Sequence, residues 1–89
     1  MNQNPYPSEG LIVFSKRGRD KGKVFVVISV DTVGEYLNLV DGRTRLLVKP
    51  KKKKIKHVQP TNYSVNLIPP CGRDLQDADI QKELAAFGY

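Results

Sequence analysis

Apolar residues occur along the chain in short runs that are separated by turn-forming residues. The two clearest runs are LIVFS at residues 11–15 and KVFVVISV at residues 23–30. Both are rich in β-branched and aromatic side chains, so each predicts a β-strand. The second run is almost continuously apolar, which predicts a central strand covered on both faces. The intervening KRGRDKG has two glycines and five polar residues and predicts a loop.

Three shorter runs follow the central strand. EYLNLV at residues 35–40 alternates apolar and polar positions and precedes an Asp-Gly turn signal, so it predicts a third strand and a tight reversal. RTRLLV at residues 43–48 and IKHV at residues 55–58 predict two more strands. Five short strands with brief turns indicate a mainly β fold, a small SH3-like antiparallel barrel that bends strongly to hide its apolar face.

The last part of the chain has a different period. An extended segment is predicted over residues 63–68, and a helix is predicted over residues 77–87. Three apolar residues have the spacing of one helical face: Ile80, Leu84 and Phe87. Asp77 is the expected N-cap, and Gly88 is expected to end the helix. A helix of this length has only marginal stability alone. Its apolar face is therefore expected to pack on the barrel, with docking on a partner as the alternative.

Length and composition predict one folded domain. Residues 1–9 are expected to be a flexible lead-in, residues 10–60 the barrel, and residues 61–89 a C-terminal extension. The chain has one cysteine and one histidine, too few for an internal disulfide or a four-ligand zinc site, so no metal or cofactor is expected. The chain shows neither a long apolar run nor a leader pattern, so a cytoplasmic protein without membrane contact is expected.

Positive charge is concentrated in the first two thirds of the chain. Fifteen Lys and Arg against nine Asp and Glu give a net charge of +6. Residues 1–60 hold thirteen basic and five acidic side chains, whereas residues 61–89 hold two and four. This asymmetry predicts that the first part binds a polyanion, most often nucleic acid. A merely solvated surface is the alternative.

The glycines and the valine-rich strand give the chain a family resemblance. Gly10, Gly18 and Gly22, followed by KVFVVISVD and YLNLVDG, resemble the KOW motif of ribosomal proteins and NusG-type transcription elongation factors. GRDKGKVFVVISVDTVGEYLNLVDG through IKHVQPT is similar to the archaeal and eukaryotic large-subunit ribosomal protein family of the fourteen-e type. The similarity covers residues 9–61. It implies an SH3-like barrel that binds RNA, often ribosomal RNA, without catalysis.

The loop between the first two strands is the first expected RNA-binding segment. Gly18 and Gly22 allow it to turn sharply and to approach a phosphate without a Cβ in the way, although a tight turn with no ligand remains the alternative. Its expected contact residues are Lys16, Arg17, Gly18, Arg19, Lys21 and Gly22. The two arginines are expected to make the shape-specific contacts, because guanidinium can fork onto phosphate or stack on an unpaired base.

The lysine-rich run KPKKKKIKH at residues 49–57 is the second expected segment. Pro50 cannot donate a ladder hydrogen bond, so the run predicts an exposed loop outside the sheet. The expected contacts here and in the preceding predicted strand are Arg43, Arg45, Lys51, Lys52, Lys53, Lys54 and Lys56. Ile55 is expected to return to the core, and His57 to be a strand residue rather than a base or metal ligand. A solvated loop or a nuclear-import signal is the alternative.

These observations predict a non-catalytic RNA-binding protein, monomeric when isolated, whose partner is ribosomal RNA of the large subunit, with ribosomal proteins or translation factors as further contacts. Aromatic residues are few, so recognition is expected to depend on phosphate and RNA shape rather than on stacked bases. The alternative function is an SH3-like module that recruits a transcription or translation factor. An enzyme is not expected, because the sequence has no paired carboxylates, Ser/His/Asp set or Walker pattern.

Overall fold

The computed structural model describes residues 8–31, 33, 35–67 and 74–88. These residues form one five-stranded antiparallel sheet, in the order β4-β3-β2-β1-β5, and one α-helix. The elements are β1 (Leu11–Ser15), β2 (Val24–Asp31), β3 (Tyr36–Val40), β4 (Lys51–Lys54), β5 (Val58–Ser64) and α1 (Asp77–Phe87). The predicted fold class, a small and mainly β barrel-like fold with a short C-terminal helix, is confirmed.

The central strand β2 is buried on both of its faces, as its sequence predicts. Val24 and Val26 belong to a cluster that also contains Ile80 and Leu84 of α1, here called the helix-side cluster. Phe25 and its neighbour Val27 belong to a second cluster on the opposite face of the strand. Side chains alternate across a strand, so a continuous apolar run supplies both clusters.

The helix packs on the sheet of its own chain. Ile80 and Leu84 are buried, and Phe87 contacts the same helix-side cluster, so the predicted apolar face of α1 is confirmed. Gly88 ends the helix with a φ of 104°, in the left-handed region that glycine adopts readily. No helix within the described ranges is long and apolar enough to span a membrane.

The N-cap of α1 is Gln76 and not the predicted Asp77. The Gln76 N–H donates to the Asp79 carboxylate at 2.9 Å, which satisfies one backbone donor at the start of the helix. The carboxylate of Asp77 instead accepts a hydrogen bond from the Leu47 N–H at 2.8 Å. This first-turn acid therefore joins the helix to the β3–β4 connection.

The β3–β4 connection differs from the prediction. RTRLLV does not form a strand, because an Asp41 carboxylate oxygen accepts hydrogen bonds from the backbone N–H groups of Arg43, Thr44 and Arg45 at 2.8–2.9 Å. Those N–H groups cannot also pair with a neighbouring strand. The chain instead forms a turn, which closes with an isolated bridge between Leu46 and Lys49. The predicted strand at residues 43–48 is therefore wrong.

The fourth strand is the lysine run itself. Lys51–Lys54 pairs antiparallel with β3, so the prediction of an exposed loop at these residues is wrong. The predicted strand at residues 55–58 is also wrong up to its last residue: Ile55–His57 forms a 3₁₀ turn, and β5 begins at Val58 and continues to Ser64. The predicted extended segment at residues 63–68 overlaps only the end of β5, and Ile68 lies outside the described residues.

Candidate nucleic-acid interface

The β1–β2 loop, residues 16–22, is closed at its base by the backbone. The N–H of Gly22 donates to the Ser15 carbonyl at 2.8 Å, and the N–H of Ser15 donates to the Lys23 carbonyl at 2.9 Å. Gly18 and Gly22 have φ values of 79° and 87°, a conformation that residues with a Cβ rarely adopt. Between them lies a 3₁₀ turn, Gly18–Asp20. The glycines thus allow the loop to turn sharply, and the cationic side chains of the loop are exposed to solvent.

Alternate lysines of β4 fasten this loop to the sheet. The Lys53 Nζ donates to the carbonyl oxygen of Arg17 at 2.6 Å, and Lys51 forms an ion pair with Asp20. Both lysines are half-buried and lie opposite Leu37 and Leu39 of β3. Because β4 has a period of two, these two side chains share one face of the strand, where they reach the loop.

The other two lysines of β4 are exposed. Lys52 lies opposite Asn38 of β3, and Lys54 lies opposite Tyr36. The Lys52 Nζ is 4.8 Å from the centroid of the Tyr36 ring, which is a cation–π distance. These ammonium groups face solvent on the side of the strand away from the loop.

Asp20 is a buried acid among these cations. The hydrogen bond from Lys51 lowers the pKa of Asp20; burial opposes this shift, and the charges of Lys51, Lys53 and Arg45 add to it. The pKa of Lys53 is lowered by burial and by repulsion from Lys51, with Asp20 acting in the opposite direction. The loop acid therefore stays ionised and is neutralised within the structure.

The 3₁₀ turn before β5, Ile55–His57, places Lys56 and His57 beside the β1–β2 loop. The N–H of Lys16 donates to the His57 carbonyl at 2.8 Å, which joins the loop to this turn. Burial lowers the pKa of His57, and the nearby charges of Arg17, Lys56, Lys54 and Lys53 lower it further. His57 is thus not the strand residue predicted from sequence, and its imidazole lies in a field of positive charge.

Residues from three segments make up what we call the basic surface: the β1–β2 loop, both faces of β4, and the 3₁₀ turn before β5. Its members are Lys16, Arg17, Arg19, Lys21, Lys51, Lys52, Lys53, Lys54, Lys56 and His57. Arg45 is half-buried and close enough for its charge to lower the pKa of Asp20. Arg43 is exposed beside Gly42, whose carbonyl accepts a hydrogen bond from the Gln81 side chain of α1 at 2.6 Å, so Arg43 projects from a turn held by the helix.

Two residues of this region were not selected as binding residues from the sequence. Tyr36 alternates with the buried Leu37 and Leu39, and that period places its half-buried ring on the opposite face of the strand from these leucines. His57 falls at the end of the lysine run, but only the 3₁₀ turn sets it against the β1–β2 loop. The position of Tyr36 could therefore have been found from the sequence pattern, whereas the position of His57 is evident only from the fold.

Comparison of the sequence with protein-family models finds no matching family, and comparison with curated proteins finds no matching protein.

Proposed function

We propose that the protein is a non-catalytic RNA-binding protein and that its basic surface contacts the phosphates of structured RNA. The observation that carries the proposal is the joining of the β1–β2 loop to β4 through the Lys53–Arg17 hydrogen bond and the Lys51–Asp20 ion pair. These contacts join positions that are 36 and 31 residues apart in the chain and so bring the cations of the loop and of β4 close together. Asp20 is neutralised by Lys51, so the surrounding charge is available to a polyanion.

The exposed cations are suited to phosphate. Seven members of the basic surface are exposed: Lys16, Arg17, Arg19, Lys21, Lys52, Lys54 and Lys56. If half to all of them contact phosphate, the slope of log K against log salt is roughly −2 to −6. The two arginines supply forked donors, and the lysines supply compact charges.

The RNA that we propose first is ribosomal RNA of the large subunit. The support is the resemblance of the β1–β2 loop, the valine-rich strand β2 and the turn that follows β3 to the KOW motif and to a large-subunit ribosomal family. Sedimentation of the tagged protein through a sucrose gradient, before and after ribonuclease treatment, tests this assignment. Movement with large subunits that is abolished by ribonuclease is the expected result, and retention of a protein complex after digestion contradicts it.

Matched charge removals test the RNA-binding proposal itself. Lys54→Gln removes an exposed charge from the basic surface, and Lys82→Gln removes an exposed charge from α1. Binding to a labelled RNA hairpin is measured by fluorescence anisotropy between about 50 and about 300 mM salt. We expect Lys54→Gln to weaken binding and to reduce the salt slope by about 0.7–0.9, and Lys82→Gln to leave both unchanged. Equal losses in the two variants would count against the proposal.

A further inference from the structure

The face of β2, β3 and β4 that is opposite Leu37 and Leu39 carries two polar rows next to the basic surface. Asn38 lies opposite Ser29 on one side and Lys52 on the other, and Tyr36 lies between Asp31 and Lys54 in the next row. The same face continues toward the Val26–Val40 pair, which is buried in the helix-side cluster. The helix therefore covers one end of this face, and the Tyr36 end carries an aromatic ring among polar side chains.

Tyr36 differs in position from the other aromatic residues that the structure describes. Phe25 is completely buried. Phe14, Phe87 and Tyr63 form a chain of ring contacts at the helix, with centroid distances of 6.1 and 5.0 Å. Of the described aromatic side chains, Tyr36 is thus the one that lies beside the cations of the basic surface.

We propose that Tyr36 is a stacking site for one unpaired base of the bound RNA, with Lys52 and Lys54 contacting the phosphates that flank that nucleotide. The inference rests on the proposed RNA binding and adds a ligand class to it, a nucleotide outside a double helix. It also revises the expectation that recognition depends on phosphate and RNA shape rather than on stacked bases.

The contact between Lys52 and Tyr36 shows how such a site works. The ammonium group of the exposed Lys52 lies 4.8 Å from the ring centroid of the half-buried Tyr36, and it covers the ring face that a base would occupy. An incoming base takes the position over the ring, and Lys52 is then free to move a short distance to the phosphate of the same nucleotide. Both the aromatic stack and the charge contact are thereby formed by one nucleotide.

The neighbouring row supplies a polar group of fixed orientation. The Asn38 Nδ2 donates to the Ser29 Oγ at 2.7 Å, so the amide does not rotate freely. An amide held in this way can present its remaining hydrogen-bonding capacity to the edge of a base stacked on the adjacent ring. Bases inside a double helix stack on their neighbours and have no free ring face, so a double helix can use the site only at its ends.

A fluorescent substitution tests the stacking directly. The chain has no tryptophan, so Tyr36→Trp introduces a single indole at the proposed site, and Tyr63→Trp introduces one at an exposed position beside α1 as the control. The probes are an RNA hairpin with an unpaired loop and a fully paired duplex of equal charge. We expect the hairpin to quench Tyr36→Trp fluorescence, the duplex to bind with little quenching, and Tyr63→Trp to be unaffected by either RNA.

Three other results of the fluorescence experiment would contradict the proposed function or the stacking site. If neither RNA binds, the proposed function fails. If both bind and neither quenches Tyr36→Trp, the stacking site is wrong while the RNA-binding function survives. If an acidic peptide quenches Tyr36→Trp as strongly as the hairpin does, the site recognises charge on a protein partner, and the proposal is overturned.

Affinity measurements give an independent readout. Tyr36→Leu keeps an apolar side chain but removes the ring, and we expect roughly 5- to 150-fold weaker hairpin binding with little change in duplex binding. Tyr36→Phe keeps the ring and is expected to bind the hairpin almost as the wild type does. Thermal melting of both variants detects a folding defect. Equal losses for hairpin and duplex in folded Tyr36→Leu, or loss of hairpin binding in folded Tyr36→Phe, would overturn the proposal.

Discussion

The Lys53 ammonium group donates a hydrogen bond to the carbonyl oxygen of Arg17 at 2.6 Å, across 36 positions of the chain. The lysine thereby fixes the backbone from which the exposed Arg17 guanidinium projects. A Cβ added at Gly18 would lie 3.6 Å from the same Nζ, so the ammonium group is close to the left-handed turn as well. A residue within a run of four lysines therefore contributes to the position of the loop in addition to its charge.

We expect Lys53→Met to lower the free energy of unfolding by about 1 kcal/mol, because it keeps the stem of the side chain and removes the hydrogen bond. Lys54→Met removes an equal charge from an exposed position and is expected to have little effect on stability. Hydrogen exchange should show faster exchange at the Lys16 and Gly22 amides in Lys53→Met only. Equal protection of these amides in the two variants would show that Lys53 does not hold the loop.

The ion pair between Asp20 and Lys51 predicts a dependence of stability on pH. The folded pKa of Asp20 lies below its unfolded value of about 4, so its stabilising contribution is present above about pH 4 and is lost as pH falls through the folded pKa. Asp20→Asn should lower the free energy of unfolding by about 1–2 kcal/mol near neutral pH and by much less near pH 3.

Urea unfolding at several pH values measures this difference. Glu9→Gln is the control, because Glu9 is exposed at the edge of the described structure and its substitution should change stability little at any pH. A difference between Asp20→Asn and wild type that stays constant down to about pH 3 would show that the Asp20 charge does not stabilise the fold.

The sequence predicts those elements whose pattern is local. β1, β2 and β3 follow from apolar runs with turn signals, and α1 follows from the spacing of Ile80, Leu84 and Phe87. β4 could not be predicted in this way, because lysine has little preference for extended structure and the strand is formed by pairing with β3. The curl after Asp41 similarly depends on one carboxylate that accepts three backbone N–H groups.

The same distinction applies to the candidate site. The identities of the basic residues are evident in the sequence, but their division into half-buried Lys51 and Lys53 and exposed Lys52 and Lys54 depends on the register between β3 and β4. A shift of one residue would exchange the two pairs. Only the fold therefore shows which lysines hold the loop and which are open to solvent.

His57 predicts a pH dependence of the proposed RNA binding. Burial and the charges of Arg17, Lys56, Lys54 and Lys53 lower its pKa in the free protein, and RNA phosphates would offset those charges and raise it. Binding would then be accompanied by proton uptake, so affinity should increase as pH falls from about 7.5 to about 5.5. In the free protein the lowered pKa acts in the opposite sense, since stability falls as pH drops below about 6.5.

Anisotropy titrations at constant ionic strength across this pH range test the coupling. His57→Gln is expected to bind RNA with an affinity that is nearly independent of pH, and this comparison is direct because the chain contains one histidine. Unchanged pH dependence in His57→Gln would assign the proton uptake to the RNA instead.

A comparison of alanine substitutions at Gly22 and Gly42 distinguishes the cost of backbone strain from the cost of a steric clash. Gly22 and Gly42 have φ values of 87° and 77°, so alanine at either position is strained by about 1–2 kcal/mol. A Cβ at Gly22 would meet nothing within 4 Å, whereas a Cβ at Gly42 would lie 2.5 Å from the Asp77 carbonyl oxygen at the start of α1.

In urea unfolding we expect Gly22→Ala to lower the free energy of unfolding by about 1–2 kcal/mol and Gly42→Ala by about 3 kcal/mol or more. The additional loss arises because the first turn of α1 must move and weaken the hydrogen bond from Gln81 to the Gly42 carbonyl. Equal losses at the two positions would mean that the start of the helix yields to the added methyl group at little cost, and that the turn after β3 does not fix where α1 begins.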